Sequence, residues 1–323
     1  MTAADIPACL DVFYDAVDPL YARLDQPLPP RDPGSLARLV GHFLEHDTSR
    51  SWVAEEPGAT ADPAPPRVLG FGCAWERDTM WYLALLFVRP EAQAAGTGRA
   101  LLLRTFPTLA TGDSGARIAP DVGSPAMESL HGLMATCVDS IQPISTGLYA
   151  SYGIVPRVPL FTAIGRPRPG ALPALPRSVV ATGVDALPPA FPLAETISAI
   201  DRATLGFARP ADHRFWSREG RRVLLFRRAG DGEPLGYGYS QASGRIGPVA
   251  LLDETLFPAA LGALVGRESP PGPYLALVPG ANDRAMVALL RAGFRFEGFP
   301  GILSSTRPWD GLPRYLVASF ALP

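Results

Sequence analysis

The chain has 323 residues, with 29 Lys plus Arg against 31 Asp plus Glu, and 47% of it is hydrophobic. That length suits two domains better than one, and the near-cancelled charge leaves no footprint for nucleic acid or an anionic membrane surface. Cys9, Cys73 and Cys137 are widely spaced, with no CxxC and no paired histidines, and no signal peptide or long uncharged apolar run is present; a soluble cytoplasmic protein without a disulfide framework or a metal is expected.

In chain order, the first strand-like run is Trp52-Val53-Ala54, followed by Leu69-Gly70-Phe71-Gly72 and by an apolar run of strand length from Trp81 to Val88. Next comes Val88-Arg89-Pro90-Glu91-Ala92-Gln93-Ala94-Ala95-Gly96-Thr97-Gly98-Arg99-Ala100. It leads into a helix-like run through Leu101, Leu102, Leu103, Arg104 and Phe106, stopped by Pro107. Gly96 and Gly98 thus stand where a strand passes to a helix N-terminus. Unpaired backbone N–H groups and the positive helix end can hold a phosphate there, and glycine admits positive φ and close approach of an anion. A dinucleotide fingerprint would need glycine where Leu101 stands, and a Walker loop would need Gly-Lys-Ser/Thr; neither is met. Two readings stay open: an anion cradle, or an ordinary strand-to-helix turn that uses glycine for packing.

Thr111 to Ser129 is a Gly/Ser/Pro-rich loop, and Pro167, Pro169, Pro173 and Pro176 mark a linker. On either side of that linker the pattern repeats. Leu69-Gly70-Phe71-Gly72 returns as Leu235-Gly236-Tyr237-Gly238, preceded by Val223-Leu224-Leu225-Phe226 and followed by a strand-like run from Arg245 to Leu252. The segment from Gln142 to Gly153, containing Tyr149, lines up with Asn282 to Gly293, where Leu289 stands in place of the tyrosine. The spacing between landmarks is longer in the first half, which assigns the extra residues to Thr111–Ser129. Internal duplication is itself a fold argument. It predicts two mixed α/β domains, each a twisted central sheet flanked by helices: residues 1–165, a linker over 166–178, and residues 179–323.

With Val88 and Pro90 ahead of it, the Gln93-x-x-Gly96-x-Gly98 motif resembles that of the GNAT superfamily of acyl-CoA N-acyltransferases. Asn282-x-x-Ala285 through Gly293-Phe294 is similar to another of that superfamily's segments. The resemblance implies a tandem GNAT protein that moves an acetyl group from acetyl-CoA to a primary amine, a small molecule in preference to a protein. It implies that backbone groups of Phe87 and Val88 bind the pantetheine arm. Amides of Ala94, Ala95, Gly96, Thr97, Gly98 and Arg99 would hold the pyrophosphate, with side chains of Gln93 and Arg99 able to add contacts. Tyr149 is the implied general acid, since a phenol with pKa near about 10 is protonated at neutral pH; core packing is the other reading of this residue. No carboxylate lies on Leu83-Ala84-Leu85-Leu86, so the base stays open among Glu76, Asp78, Glu128, His131, Asp139 and a water chain.

The second half lacks both loop and tyrosine and carries Glu254 near a helix start, so it is expected to be a degenerate domain. The roles left to it are to cover a sheet edge, shape the acceptor cleft or form a homodimer contact. Acceptor recognition is expected around Phe13, Tyr14, Asp18, Tyr21, His42 and His46, with the histidines on the surface. Asp201, Arg202, Arg209, Asp212, His213 and Trp216 form a polar-aromatic cluster that could border a cleft, but are read in the first place as a solvated helix face. Members of the superfamily open with a strand, whereas Met1 to Asp5 is already at the first helix start, with Asp5 as its N-cap; that strand is either missing or supplied by another segment. A non-catalytic acyl-CoA-binding or regulatory protein is the alternative function.

Overall fold

The computed structural model describes residues 1–28, 30–56, 66–107 and 132–323. The loop assigned to Thr111–Ser129, and with it Glu128 and His131, lies outside the described residues. The chain divides into two compact units, Met1–Glu76 with Trp81–Gly132, and Arg77–Met80 with Leu133–Pro323. Among the described residues no helix is long and apolar enough to cross a membrane.

Unit 1 begins with a short 3-10 turn and helix α1, Ile6–Arg23. Asp5 stands at the N-cap position of α1, as expected, but its side chain caps no amide of that helix and closes the preceding turn instead: its Oδ2 accepts from Thr2 N at 2.6 Å and Thr2 Oγ1 at 3.0 Å. Among the described residues of this unit no strand precedes α1. Helix α2, Pro33–His46, is capped by Asp32, which accepts from the Ser35 amide at 2.9 Å. Strands β1 (Ser51–Glu55), β2 (Val68–Arg77) and β3 (Met80–Val88) follow, then α3, Thr97–Thr105.

Trp52 pairs with Gly72 and Ala54 with Gly70 in the antiparallel β1–β2 ladder. The glycines explain themselves by closeness. A Cβ on Gly70 would lie 2.9 Å from the Phe87 carbonyl oxygen and 3.1 Å from Leu101 Cδ1, so only glycine lets α3 and the end of β3 approach β2 this closely. The opposite face of β2 carries Phe71 and Cys73 into a core with Cys9, Val12, Val40 and Phe43.

Unit 2 contains β4 (Leu133–Asp139), α4 (Pro143–Ala150), β5 (Val155–Gly165), β6 (Val179–Gly183), α5 (Leu193–Leu205) and α6 (Pro210–Arg218). It continues with β7 (Arg222–Arg228), β8 (Pro234–Ser240), β9 (Arg245–Leu251), α7 (Phe257–Arg267), β10 (Tyr274–Pro279) and α8 (Asp283–Ala292). Short strands β11 (Arg295–Phe296), β12 (Gly301–Ser305) and β13 (Tyr315–Leu316) complete it. The strand order is β4-β12-β5-β10-β9-β8-β7-β6, with β11 on β5 and β13 on β9. Among the described residues of this unit only the β9–β10 pairing is parallel, so the sheet is mixed.

Two features of this sheet bear on the repeat. Leu224 pairs with Gly238 and Phe226 with Gly236, a pairing of the same kind as β1 with β2, and a Cβ on Gly238 would meet Leu264 of α7 at 2.7 Å. Strand β12 lies between β4 and β5, Leu303 facing Cys137 on one side and Val158 on the other. A strand from near the end of the chain thus completes a sheet begun by strands that precede the proline-rich segment. That segment packs on the unit: Leu172 and Leu175 lie against its core, and a Cβ on Gly262 would touch the Pro173 carbonyl oxygen at 2.6 Å.

Candidate functional site

The loop after β3 is held from beneath. Arg89 donates from its backbone N–H to Leu69 O at 2.8 Å and from Nε to Val68 O at 2.9 Å, and its guanidinium pairs with Asp15. Val88, Ala92 and Leu101 form a small buried cluster with Trp52, Ala54, Leu69 and Leu86 around it. Gln93 donates from Nε2 to Val88 O at 2.9 Å, so its amide ties the start of the loop to the end of the strand.

Beyond that anchor the backbone turns outward. Ala94 has φ +63° and Gly96 φ +85°. The left-handed region costs a non-glycine residue roughly 1–2 kcal/mol, a strain that tends to persist at ligand-binding positions. Gly96 caps α3, and its carbonyl accepts from Ala100 N at 2.9 Å. The backbone N–H groups of Ala94, Ala95, Gly96, Thr97 and Gly98 donate to none of the described residues. A Cβ built on Gly96 meets none of the described residues within 4 Å. Arg99 is exposed on the first turn of the helix. Five consecutive N–H groups at a helix N-terminus suit an anion with several oxygens, and a pyrophosphate is such a group.

Phe87 is half-buried, its ring edge-on to Phe13 at 4.7 Å and stacked on Phe71 at 5.7 Å. Phe87, Val88 and Gln93–Arg99 therefore form one continuous feature of unit 1. The α1 residues expected to face an acceptor are partly engaged: Asp18 pairs with Arg31, whose guanidinium lies 4.7 Å from the Tyr14 ring centre, while Tyr21 is half-buried. His42 is buried and edge-on to His46 at 4.9 Å, which corrects its assignment to the surface. The physical reason is its place in α2, beside the buried Val40 and Phe43.

Tyr149 belongs to unit 2. It sits on the last turn of α4 at 5% exposure, and that helix ends in a turn where Gly153 has φ +77°. Burial drives its phenol pKa above the usual value, against a smaller opposing effect of a hydrogen bond with Ser145. The phenol therefore stays protonated at neutral pH. Tyr152 is equally buried. Among the carboxylates considered as bases, Glu76 pairs with Arg50, and Asp78 accepts from Arg202 Nε at 3.1 Å and Ala208 N at 2.8 Å. The Asp139 carboxylate has no hydrogen-bonding partner among the described residues, although its backbone carbonyl accepts from Gln142 N at 2.9 Å, and burial raises its pKa.

Of the group read as a solvated face in α5 and α6, Arg202 is exposed as expected, but Asp201, Arg209, Asp212, His213 and Trp216 are all buried. Asp201 Oδ2 meets His213 Nε2 at 2.8 Å and Arg209 Nε at 3.2 Å, while Oδ1 accepts from Tyr237. His213 Nδ1 lies 3.0 Å from Tyr239 Oη, and Arg77 Nη2 pairs with Asp212 Oδ1 at 3.0 Å. Burial alone would raise the Asp201 pKa, but Arg209 and His213 outweigh it and hold the carboxyl below its usual value. Strand alternation is the cause of this burial. Gly236 and Gly238 let β8 be packed closely on one face, leaving Tyr237 and Tyr239 to project from the other into the α5–α6 side. Sequence reasoning named the charged residues but missed the tyrosines that bury them.

The second half differs at its own strand-to-helix passage too. Asp253 Oδ1 accepts from Thr255 N, and Leu289 is fully buried in the core of the unit. Among the described residues no group of three or more His, Cys, Asp or Glu is placed to hold a metal ion.

No protein family model matches the chain, and no curated protein matches it. Solved structures do. A "Putative Acetyltransferase" from Pyrococcus horikoshii is 16% identical, with a TM-score of 0.67 over all of this chain and 94% of that one. A GCN5-related N-acetyltransferase from Sphaerobacter thermophilus is 14% identical, with a TM-score of 0.55 over 95% of each chain. One from Anabaena variabilis is 12% identical, with a TM-score of 0.53 over 94% of this chain and 70% of that one. At such identities the likeness speaks to architecture alone: the chain has the fold of the GCN5-related N-acetyltransferases (GNAT).

Proposed function

We propose that the chain is an N-acetyltransferase that moves an acetyl group from acetyl-CoA to a primary amine, with a small molecule as acceptor and the donor gripped by the loop of unit 1. The observation that carries this reading is the run of N–H groups from Ala94 to Gly98 with no acceptor among the described residues. Backbone donors bind an anion without regard to side-chain identity, which leaves Gly96 as the position where residue type matters.

Acetyl-CoA supplies an activated thioester carbonyl that an uncharged amine can attack directly. The tasks left to the protein are to fix the donor, to take a proton from the amine and to give one to the departing thiolate. Phe87 and Val88, at the end of β3, are suited to line the donor's arm through their backbone. Tyr149, kept protonated by burial, is the proton donor in this proposal. Asp139 is the carboxylate whose proton affinity the protein raises, which recommends it as the acceptor of the amine proton. The second half has Asp253 at its corresponding passage and Leu289 in place of a tyrosine, so chemistry is assigned to the first half alone.

The alternative is an acyl-CoA-binding protein without turnover, favoured by the engagement of Tyr149 with Ser145. Calorimetry of the full chain with acetyl-CoA, followed by thiol release with a panel of amines, separates the two. Saturable binding with thiol release on at least one amine is expected. Binding without release on any amine hands the case to the alternative, and absence of binding overturns both.

A further inference from the structure

Strand β6 ends the sheet of unit 2, with β7 as its neighbour on one side and no strand among the described residues on the other. The ladder fixes which backbone groups face outward. Val179 pairs with Arg228 in antiparallel register, and Ser178 O accepts from Ala229 N at 2.8 Å. Alternation then turns the N–H and C=O groups of Val180 and Thr182 towards β7, and those of Val179, Ala181 and Gly183 outward. The Val179 N–H is taken up by Pro176 O at 2.9 Å. The N–H groups of Ala181 and Gly183 and the carbonyls of Val179, Ala181 and Gly183 have no partner among the described residues.

Proteins usually blunt such an edge with a charge, a proline or a bulge. The run Val179-Val180-Ala181-Thr182-Gly183 carries no charge and no proline, and its register against β7 is unbroken. Val180 is 46% exposed. The charges stand at the two ends instead. Arg177 precedes the strand and Asp185 follows it in a 3-10 turn, each four residues from Ala181. Both are exposed, and neither has a partner among the described residues.

This edge is complementary to itself. Two β6 strands joined antiparallel about a two-fold axis at Ala181 set each Ala181 against the partner's Ala181, each Gly183 against the partner's Val179, and each Arg177 against the partner's Asp185. Ala181 N–H then donates to the partner's Ala181 O, and Gly183 N–H to the partner's Val179 O. A shift of two residues moves each Arg177 away from the carboxylate it meets in this register. The side chains agree as well. Val179 and Ala181 lie on the face packed by α7, where a groove is lined by Gly183, Ala263 and Gly266. With no side chain on Gly183, that groove has room for the partner's Val179. On the other face Val180 adjoins the partner's Thr182.

We infer that β6 is a dimer interface, on which a second copy of this chain adds its own β6 antiparallel with Arg177 and Asp185 paired at both ends. The inference rests on the edge alone and does not depend on acetyl transfer.

Sedimentation equilibrium of the full chain, from about 1 to 200 μM and at low and high salt, provides the test. A monomer–dimer equilibrium is expected, weaker at high salt because the end pairs are exposed. Arg177→Asp sets like charges against each other at both ends and should raise the dimer Kd at least fivefold, as should Asp185→Arg. An equimolar mixture of these two variants restores opposite charges at both ends, so it should associate nearly as tightly as the native chain. Ala181→Pro removes an outward N–H at a place where an edge strand accepts proline, and should abolish the dimer while the circular dichroism stays native. Where that variant fails to fold, the exposed charge variants carry the test. A native chain that is monomeric at about 200 μM overturns the inference. So does assembly that continues beyond the dimer, a dimer indifferent to both charge reversals, or a mixture no tighter than either variant alone.

Discussion

Asp253 Oδ1 accepts hydrogen bonds from both the backbone N–H of Thr255, at 2.9 Å, and its Oγ1, at 2.7 Å. A carboxylate of the protein's own thus takes an amide donor at the passage from β9 towards α7. In the first half the corresponding amides, Ala94 to Gly98, have no acceptor among the described residues. One acetyl-CoA per chain is therefore expected by calorimetry. Gly96→Glu should weaken it at least a hundredfold, because the variant brings a negative charge to the anion site and a side chain to φ +85°. Gly96→Asn, a residue that tolerates this region, should stay within about tenfold of the native affinity. A stoichiometry of two, or unchanged affinity of Gly96→Glu, counts against the assignment.

Tyr149→Phe removes only a hydroxyl from a buried ring, so the fold should survive. Turnover is expected to fall about 10²–10⁴-fold, the usual worth of a positioned acid, with the affinity for acetyl-CoA changed less than twofold. Steady-state kinetics beside calorimetry reads both. Turnover that follows only the loss of folded protein would reduce Tyr149 to packing.

Gly70 and Gly72 look alike in the repeat but meet different neighbours. A Cβ on Gly70 would press on the Phe87 backbone oxygen at 2.9 Å, whereas on Gly72 it would lie 3.4 Å from two side-chain carbons. Gly70→Ala should cost about 1–3 kcal/mol in denaturant unfolding, as overpacking does, and Gly72→Ala under about 1. Equal costs would mean that the backbone contact yields easily.

What the sequence made legible was local. A strand handing over to a helix through Gly96 and Gly98 is written in consecutive residues, and the paired glycines of β2 and β8 repeat because α3 and α7 both pack on them. Strand exchange was not legible, since the five residues Gly301–Ser305 say nothing about which strands they join. The positive φ of Ala94 was hidden because alanine seldom adopts it. The burial of Asp201 escaped because charged helix positions read as solvated until Tyr237, 36 residues on, is known to lie against them.

That network predicts strong coupling. Removing Asp201 as Ala leaves the buried Arg209 guanidinium short of its counter-charge, and removing Arg209 as Met does the reverse. Each single variant should lose about 3–5 kcal/mol, and the double variant clearly less than their sum, because the uncompensated charge is then gone. Urea unfolding of the three variants measures this; strict additivity would argue that the two groups act independently.

Cys9 and Cys73 are fully buried, and burial pushes both thiols up to about 12. In the unfolded chain a thiol ionises near about 8.5. Above that pH the unfolded state sheds protons that the folded state keeps, so stability falls as pH rises towards 12, by about 1.4 kcal/mol per pH unit for each thiol. Below about pH 8.5 these two groups should leave stability flat. Cys73→Ala lowers overall stability through the cavity it leaves, but should make the decline between pH 9 and 10.5 shallower, which denaturant titrations at several pH values resolve. The same burial predicts that the native protein reacts slowly with a disulfide reagent at pH 8, which keeps thiol-release assays free of background from these residues. An unchanged alkaline slope in Cys73→Ala, or rapid labelling of the native thiols, would show that the two cysteines open to solvent far more readily than their packing implies.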